Sequence, residues 1–241
     1  MYIMVSIPPS QSFQTMLSAE NSSAGSVVYT SLKGQILSLE LPPGTLLSEK
    51  EMSTAYQVSR TPVRESFVRL AQEGLLVVLP QRGTRVSLID PELVEEARFM
   101  REQLERAVIA LACESFPEEL LAELEFNLAQ QKHSVFQQDG TMMFQLDEEF
   151  HRILFAGCRK LGTWNVIQQM NVHLNRSRML WLSEDPDWAS LYEQHREMVQ
   201  AIRQQDVKRA DALMKQHLSL IISNLSVLQQ RHPDYFKPPG I

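Results

Sequence analysis

The sequence predicts a mostly α-helical protein in two parts, an N-terminal winged helix-turn-helix followed by an all-α helical bundle. Three observations carry this. Between Ser48 and Val86, two short helical patterns joined by a tight turn lead into a β-hairpin pattern with a basic tip. After Asp90-Pro91 the apolar pattern changes to long helical repeats that continue to about Leu228. Charge follows the same division: Met52–Val86 carries five Arg against two Glu, about +3, in a chain of 241 residues with a net charge of −6.

Taken in order, residues 1–26 are rich in Ser, Gln and Asn, nearly uncharged and without sustained periodicity, and read as a flexible arm. Residues 27–89 form the winged helix-turn-helix. Val28, Leu32, Ile36 and Leu37 recur at helical spacing until Leu41-Pro42-Pro43-Gly44 stops the first helix. Ser48 and Glu51 make an S-x-x-E capping box for a second helix. Ser59 and Thr61 are candidate caps of a third, with Pro62 in its first turn. On that third helix Val63, Phe67 and Leu70 share an inner face, while Arg60, Arg64 and Arg69 leave the other face basic. Gly74 ends it, and Leu75–Leu79 and Arg85–Leu88 flank a hairpin tip at Arg82-Gly83.

Residues 90–230 are read as the all-helical domain. Asp90 caps and Pro91 starts its first helix, whose inner face is drawn through Leu93, Ala97, Met100, Leu104, Val108, Leu111 and Ala112. Pro117 opens a second helix with Leu120, Leu121, Leu124 and Leu128 inward. Asp139-Gly140 turns into a third over Met143–Ala156. A single long helix is expected over Trp164–Leu182, ended by Glu184-Asp185-Pro186-Asp187. Trp188–Gln204 and Val207–Leu228 then complete the bundle, and residues 231–241 read as a loose tail.

Composition excludes several classes. Nothing is long and apolar enough to span a bilayer, and the N-terminus lacks a basic region ahead of its Pro-broken apolar run, so no membrane attachment is expected. Cys113 and Cys158 have no metal or redox spacing, which suits a reducing cytoplasm. With H-E-x-x-H, a Gly-rich phosphate loop and G-x-S-x-G all missing, metal-dependent catalysis is kept only as an alternative.

Four residues suggest a metal. Asp147 and His151 are four apart and so project from one helix face, while His195 and His217 lie one on each of the last two helices. An antiparallel bundle can bring them to one interior point. Three His and one Asp suit a divalent ion, zinc first, with nickel or manganese as alternatives, and leave room for a ligand oxygen.

The succession LPPGTLLSEKEM, VSRTPVRESFVRLAQEGLL and QRGTRV resembles the DNA-binding domain of the GntR family of bacterial transcription regulators, over about Val27–Leu88. The D-x-x-x-H at Asp147, then EQHREMVQAI and DVKRADALMKQHL, resemble the metal-binding version of the effector domain (FCD) in the FadR subgroup. The resemblance implies a homodimer on operator DNA, with Arg60 and Arg64 as base or phosphate contacts, Thr61 on a phosphate, Lys50 reaching from the preceding helix and Arg82-Gly83 at the wing tip. It implies Asp147, His151, His195 and His217 as metal ligands, with Arg101 facing a small organic acid such as a sugar acid or hydroxy acid. Arg178 is a further candidate for that acid, with Arg176 too close in sequence to tell apart. Trp181 shares the Arg178 face and His173 is placed near the same cavity. A purely structural metal without any effector is the competing reading.

Overall fold

In the computed structural model, which describes residues 23–184, 187–219 and 225–238, the chain is predominantly helical with one small sheet. Backbone contacts divide it into two units, one up to Leu88 and one from Ile89 onward. The expected arm over residues 1–26 lies largely outside the described residues. Its last residues, however, are already ordered: helix α1 (Ala24–Leu37) starts three residues earlier than its apolar pattern, because the Ser23 side chain accepts from Ser26 N at 3.3 Å.

In the first unit, α1 buries Val27, Val28, Tyr29, Leu32 and Ile36. Leu39, at φ 64, ends it. A two-residue strand β1 (Leu46–Leu47) follows, too short for periodicity to announce. Helix α2 (Glu49–Ala55) begins at Ser48 and α3 (Arg60–Gln72) at Ser59, and both serines have extended backbone but make no side-chain cap bond. The expected capping box is therefore not formed. The first turn of α2 still carries Glu49 and Glu51, which suit the positive end of the helix dipole.

On α3, Val63, Ser66, Phe67 and Leu70 face inward. Gly74, at φ 75, then reverses the chain so that Leu75 N bonds Leu70 O at 2.9 Å. Strands β2 (Leu76–Leu79) and β3 (Gly83–Val86) form the hairpin, and β1 pairs with β3 to give the antiparallel order β1-β3-β2. Leu76 lies opposite Val86 and Leu79 opposite Gly83, whose φ of 91 is readily available only to glycine.

The second unit contains α4 (Pro91–Glu114), α5 (Glu118–Gln137), α6 (Gly140–Gly157), α7 (Leu161–Met170), α8 (Val172–Glu184), α9 (Trp188–Arg203), α10 (Val207–Ser219) and α11 (Leu225–Arg231). Helix α4 is central, packing against α6, α7, α8, α9 and α10. Asp90 caps it by accepting from Glu92 N, with Pro91 in its first turn. Its inner face differs from the expected one. Leu93 and Leu111 are exposed, whereas Val94, Ala97, Arg101, Glu105, Val108 and Ala112 are buried. The stripe is rotated because two charged residues occupy its middle, which an apolar count passes over.

Two further expectations are corrected, and two fall partly outside the described residues. The long helix over Trp164–Leu182 is two helices, since Asn171, at ψ 2, leaves the α7 ladder and restarts it as Asn175 N bonds Asn171 O at 2.7 Å. Residues 185–186, in the expected break after Glu184, and residues 220–224, inside the expected last helix, lie outside the described residues. The tail is not loose where it is described. Phe236 is buried and bridges Ile89, Lys237 N bonds Ile89 O at 2.8 Å, and Lys237 Nζ pairs with Asp90 at 2.7 Å. One buried aromatic outweighs the prolines around it.

Candidate metal centre and nucleic-acid interface

Asp147 and His151 lie one turn apart on α6, His195 projects from α9 and His217 from α10, and one donor atom from each falls within 4.8 Å of the others. His195 Nε2 and His217 Nε2 are 3.6 and 3.7 Å from Asp147 Oδ1, and His151 Nε2 is 4.0 Å away. All four side chains are buried, and Phe150 stacks on the His195 ring at 4.1 Å.

Outer partners dictate what these imidazoles present. Asn127 Nδ2 donates to Leu146 O at 3.0 Å, and Gln131 Nε2 donates to Asn127 Oδ1 at 2.6 Å. The Gln131 oxygen is thereby turned to His195 Nδ1, at 2.9 Å, which must be the donor. His217 Nδ1 meets Gln194 Oε1 at 3.0 Å, and His151 Nδ1 pairs with the Glu105 carboxylate. These contacts leave the three Nε2 atoms turned inward, and on His195, whose Nδ1 is the donor, Nε2 is a lone-pair acceptor.

Two of them, on His151 and His217, face one another at 3.1 Å. His195 Nε2 and Asp147 Oδ1 are buried without any hydrogen-bond partner. Acceptors pointed at acceptors in a dry interior are unfavourable unless a cation stands among them. Three imidazole nitrogens and one carboxylate oxygen fit a first-row divalent ion.

Electrostatics prepares the same donors. Burial pushes His195 down to about 3 against the pull of Asp147, and burial with its two neighbouring imidazoles holds His217 well below the usual histidine range, so both are neutral at pH 7. Burial would raise the Asp147 carboxyl, but the Arg178 guanidinium and the imidazoles outweigh it and keep the group well below the usual range. Glu105, likewise buried, is held at about 2 by Arg101 and His151.

Both arginines singled out by sequence lie beside this cluster and are already engaged. Arg101 pairs with Glu105 and approaches Glu148 at 3.4 Å, while its Nη2 is buried and unpartnered. Arg178 pairs with Asp147 and Glu148 and reaches Asn175 Oδ1 at 3.3 Å. Arg176 turns elsewhere, to Val172 O and His173 Nδ1. His173 also accepts from Asp90 N at 3.0 Å, so it anchors the start of α4, and Trp181 is half-buried. Sequence reasoning missed Glu105, Gln131 and Gln194. Only Glu105 left a signal, four residues after Arg101.

On the first unit, Arg60, Thr61 and Arg64 are exposed on α3 and line one shallow depression with Arg69 and Glu49. Lys50 is exposed on α2, and Arg82 and Gly83 are exposed at the hairpin tip. Arg69 is partly committed, lying 3.6 Å over the Tyr29 ring. Arg85 is half-buried within β3, with Nε unpartnered.

A three-helix head with a basic third helix and a two-stranded wing has the form of a DNA-reading module, and the helical unit adds a buried Asp/His cradle. Known proteins give the family. Residues 25–86 match the family described as "Bacterial regulatory proteins, gntR family", and residues 96–220 match "FCD domain". The chain is 38% identical over 210 residues to an HTH-type transcriptional regulator in an unstable DNA locus of Streptomyces ambofaciens, covering 87% of this chain and 88% of that protein. It is 33% identical over 211 residues to the HTH-type transcriptional repressor RspR of Escherichia coli, covering 87% and 92%. The fold is also that of E. coli McbR/YncC, with a TM-score of 0.72 at 23% identity over 88% of this chain and 99% of the other.

The chain therefore belongs to the GntR family and is a DNA-binding transcription regulator with an FCD domain. Among the described residues, no helix is long and apolar enough to cross a membrane.

Proposed function

We propose that this regulator is ligand-responsive: its helical domain holds a divalent metal, zinc first, through Asp147, His151, His195 and His217, and takes a small organic acid beside it. Binding of the acid changes the affinity of a homodimer for operator DNA. The observation that carries this reading is the inward turn of three Nε2 atoms around Asp147 Oδ1, with His195 Nε2 and Asp147 Oδ1 buried and unpartnered. The unpartnered Arg101 Nη2 beside it supplies a donor for a carboxylate.

When bound, the metal supplies positive charge and an open coordination position for a ligand oxygen. The protein's part is to hold the imidazoles in one tautomer, exclude water and orient the two arginines. On the DNA side, Arg60 and Arg64 read bases or phosphates, Thr61 and Lys50 contact the backbone, and Arg82-Gly83 approaches from the wing. Dimerisation gives two heads for two half-sites. The chemistry is binding rather than turnover, in the cytoplasm.

A second reading, a structural metal without an effector, is favoured by the carboxylates already paired with Arg101 and Arg178. Thermal unfolding of protein assayed for metal, against small organic acids with and without chelator, separates the two. A rise in midpoint for one acid that chelation abolishes supports the effector site, since a ligand of the native state must stabilise it. No shift with any acid in metal-loaded protein supports the structural reading.

A further inference from the structure

Arg69 lines the depression on α3 together with Arg60, Thr61 and Arg64, but it is held differently from them. Its guanidinium lies 3.6 Å over the ring of Tyr29 on α1. Tyr29 donates its hydroxyl to Glu73 Oε1 at 2.6 Å, while Lys33 Nζ donates to Glu73 Oε2 at 2.7 Å and to the Tyr29 oxygen at 3.1 Å. The Tyr29 side chain is buried, so α1 and the end of α3 together fix the surface on which Arg69 rests.

Charge and distance leave the Arg69 guanidinium unspent. Lys33 neutralises Glu73 through a direct bond, whereas Glu73 Oε1 stands 3.6 Å from Arg69 Nε, too far for a hydrogen bond. The Arg69 side chain is 59% exposed. A guanidinium stacked on a ring keeps its edge donors in a planar fork that matches a phosphate. Ordering a long cationic side chain is one of the costs of binding, and the stack has lowered that cost before DNA arrives.

Position on the helix gives the partner. Arg69 follows Arg64 by five residues, which at 3.6 residues per turn sets them about 140° apart around α3. Thr61, Glu65, Val68 and Gln72 fill the arc between them. A helix about 10–12 Å across fills a major groove about 12 Å wide, so its middle faces base edges while its two flanks face opposite phosphate strands. Arg60 and Arg64 stand toward one wall and Arg69 toward the other. Glu65, one turn before Arg69, has its Oε2 beside Gly25 at the start of α1, where the helix dipole favours a negative charge.

We propose that Arg69 is a preorganised phosphate clamp: the Tyr29 ring holds its guanidinium toward the groove wall opposite Arg60 and Arg64, so that Arg69 adds affinity without reading sequence. Tyr29 is its positioning residue. Neither the metal nor an effector enters this assignment.

The test is fluorescence anisotropy of full-length protein, across a salt series, with a duplex selected from random sequence and with a scrambled duplex. Arg69→Ala is expected to weaken both duplexes by the same factor, about tenfold, and to lower the slope of log affinity against log salt by about 0.9 for each head bound. Arg69→Lys, which keeps the charge but not the planar fork, falls between wild type and Arg69→Ala. Tyr29→Leu costs about 3- to 10-fold in the wild-type background and nothing further in Arg69→Ala, while Tyr29→Phe, which keeps the ring, binds like wild type. Melting transitions check the folding of each variant. An unchanged slope in folded Arg69→Ala overturns the phosphate contact, and a loss confined to the selected duplex overturns it in favour of base reading. Arg69→Lys binding like wild type reduces Arg69 to a point charge and overturns the stacked clamp. A Tyr29→Leu loss that persists undiminished in Arg69→Ala shows that Tyr29 acts on the fold of the head, which overturns its positioning role.

Discussion

Each cradle imidazole spends its Nδ1 on an outer partner, so the direction of its Nε2 is decided by residues outside the cradle. Gln131 illustrates this, because its orientation descends from Leu146 O through Asn127. Replacing Gln131 by Leu frees the His195 ring and should lower metal affinity about 10- to 100-fold, measured by competition with a chelator. Unchanged affinity would show that the chain of amides is incidental.

Acid sensitivity belongs to the same scale. His173 and His195 have values depressed to about 3 when folded, His173 by burial and the Arg176 charge and His195 chiefly by burial. Unfolded, each takes up a proton near pH 6.5. Their stabilisation is complete above that pH and is lost as pH falls from about 6.5 toward 3. Chelator-treated protein should thus melt at lower temperature at pH 5 than at pH 7.5, and His173→Gln should flatten the dependence. On the reading helix, Arg64→Ala should cost about 1–3 kcal/mol of discrimination if Arg64 reads a guanine, but should weaken all duplexes alike if it contacts phosphate. Anisotropy titrations against selected and scrambled duplexes distinguish the two.

Elements differ in how plainly they announce themselves. Helix α3 was legible because Val63, Phe67 and Leu70 keep one period while Pro62 and Gly74 mark its ends. Helix α4 was legible as a helix but not as to its face, since Arg101 and Glu105 are buried by a long-range ion-pair network that no apolar count registers. The break at Asn171 was hidden because one residue with ψ near zero hardly disturbs the side-chain period. Within the site, Asp147 and His151 could be paired from local spacing, whereas adding His195 and His217 rested on an assumed antiparallel bundle, with the family resemblance in support. Gln131 and Gln194 were invisible because the partners that orient them, and that they orient, depend on the packing of separate helices. The tail was misjudged for a similar reason: Phe236 meets Ile89 only in the folded chain. Phe236→Ala should destabilise the second unit by about 3 kcal/mol in urea titration. An unchanged midpoint would return this segment to the status of a loose end.

Across the whole molecule, charge separates the two tasks. Lys and Arg exceed Glu by seven to five over Val27–Leu88, leaving about −8 for the rest of a chain whose net charge is −6. The acidic remainder disfavours DNA elsewhere and focuses it on the first unit. A sensing domain can act on DNA only if its ligand has unequal affinity for the DNA-competent and incompetent arrangements. The measurement that tests this most directly is the affinity of full-length protein for a duplex selected from random sequence, titrated with a hydroxy acid that binds the protein, before and after metal removal. The account predicts a change of about 5- to 150-fold in DNA affinity that disappears with the metal. The same affinity with and without the acid, in metal-loaded protein that binds it, would contradict the coupling at the centre of this account.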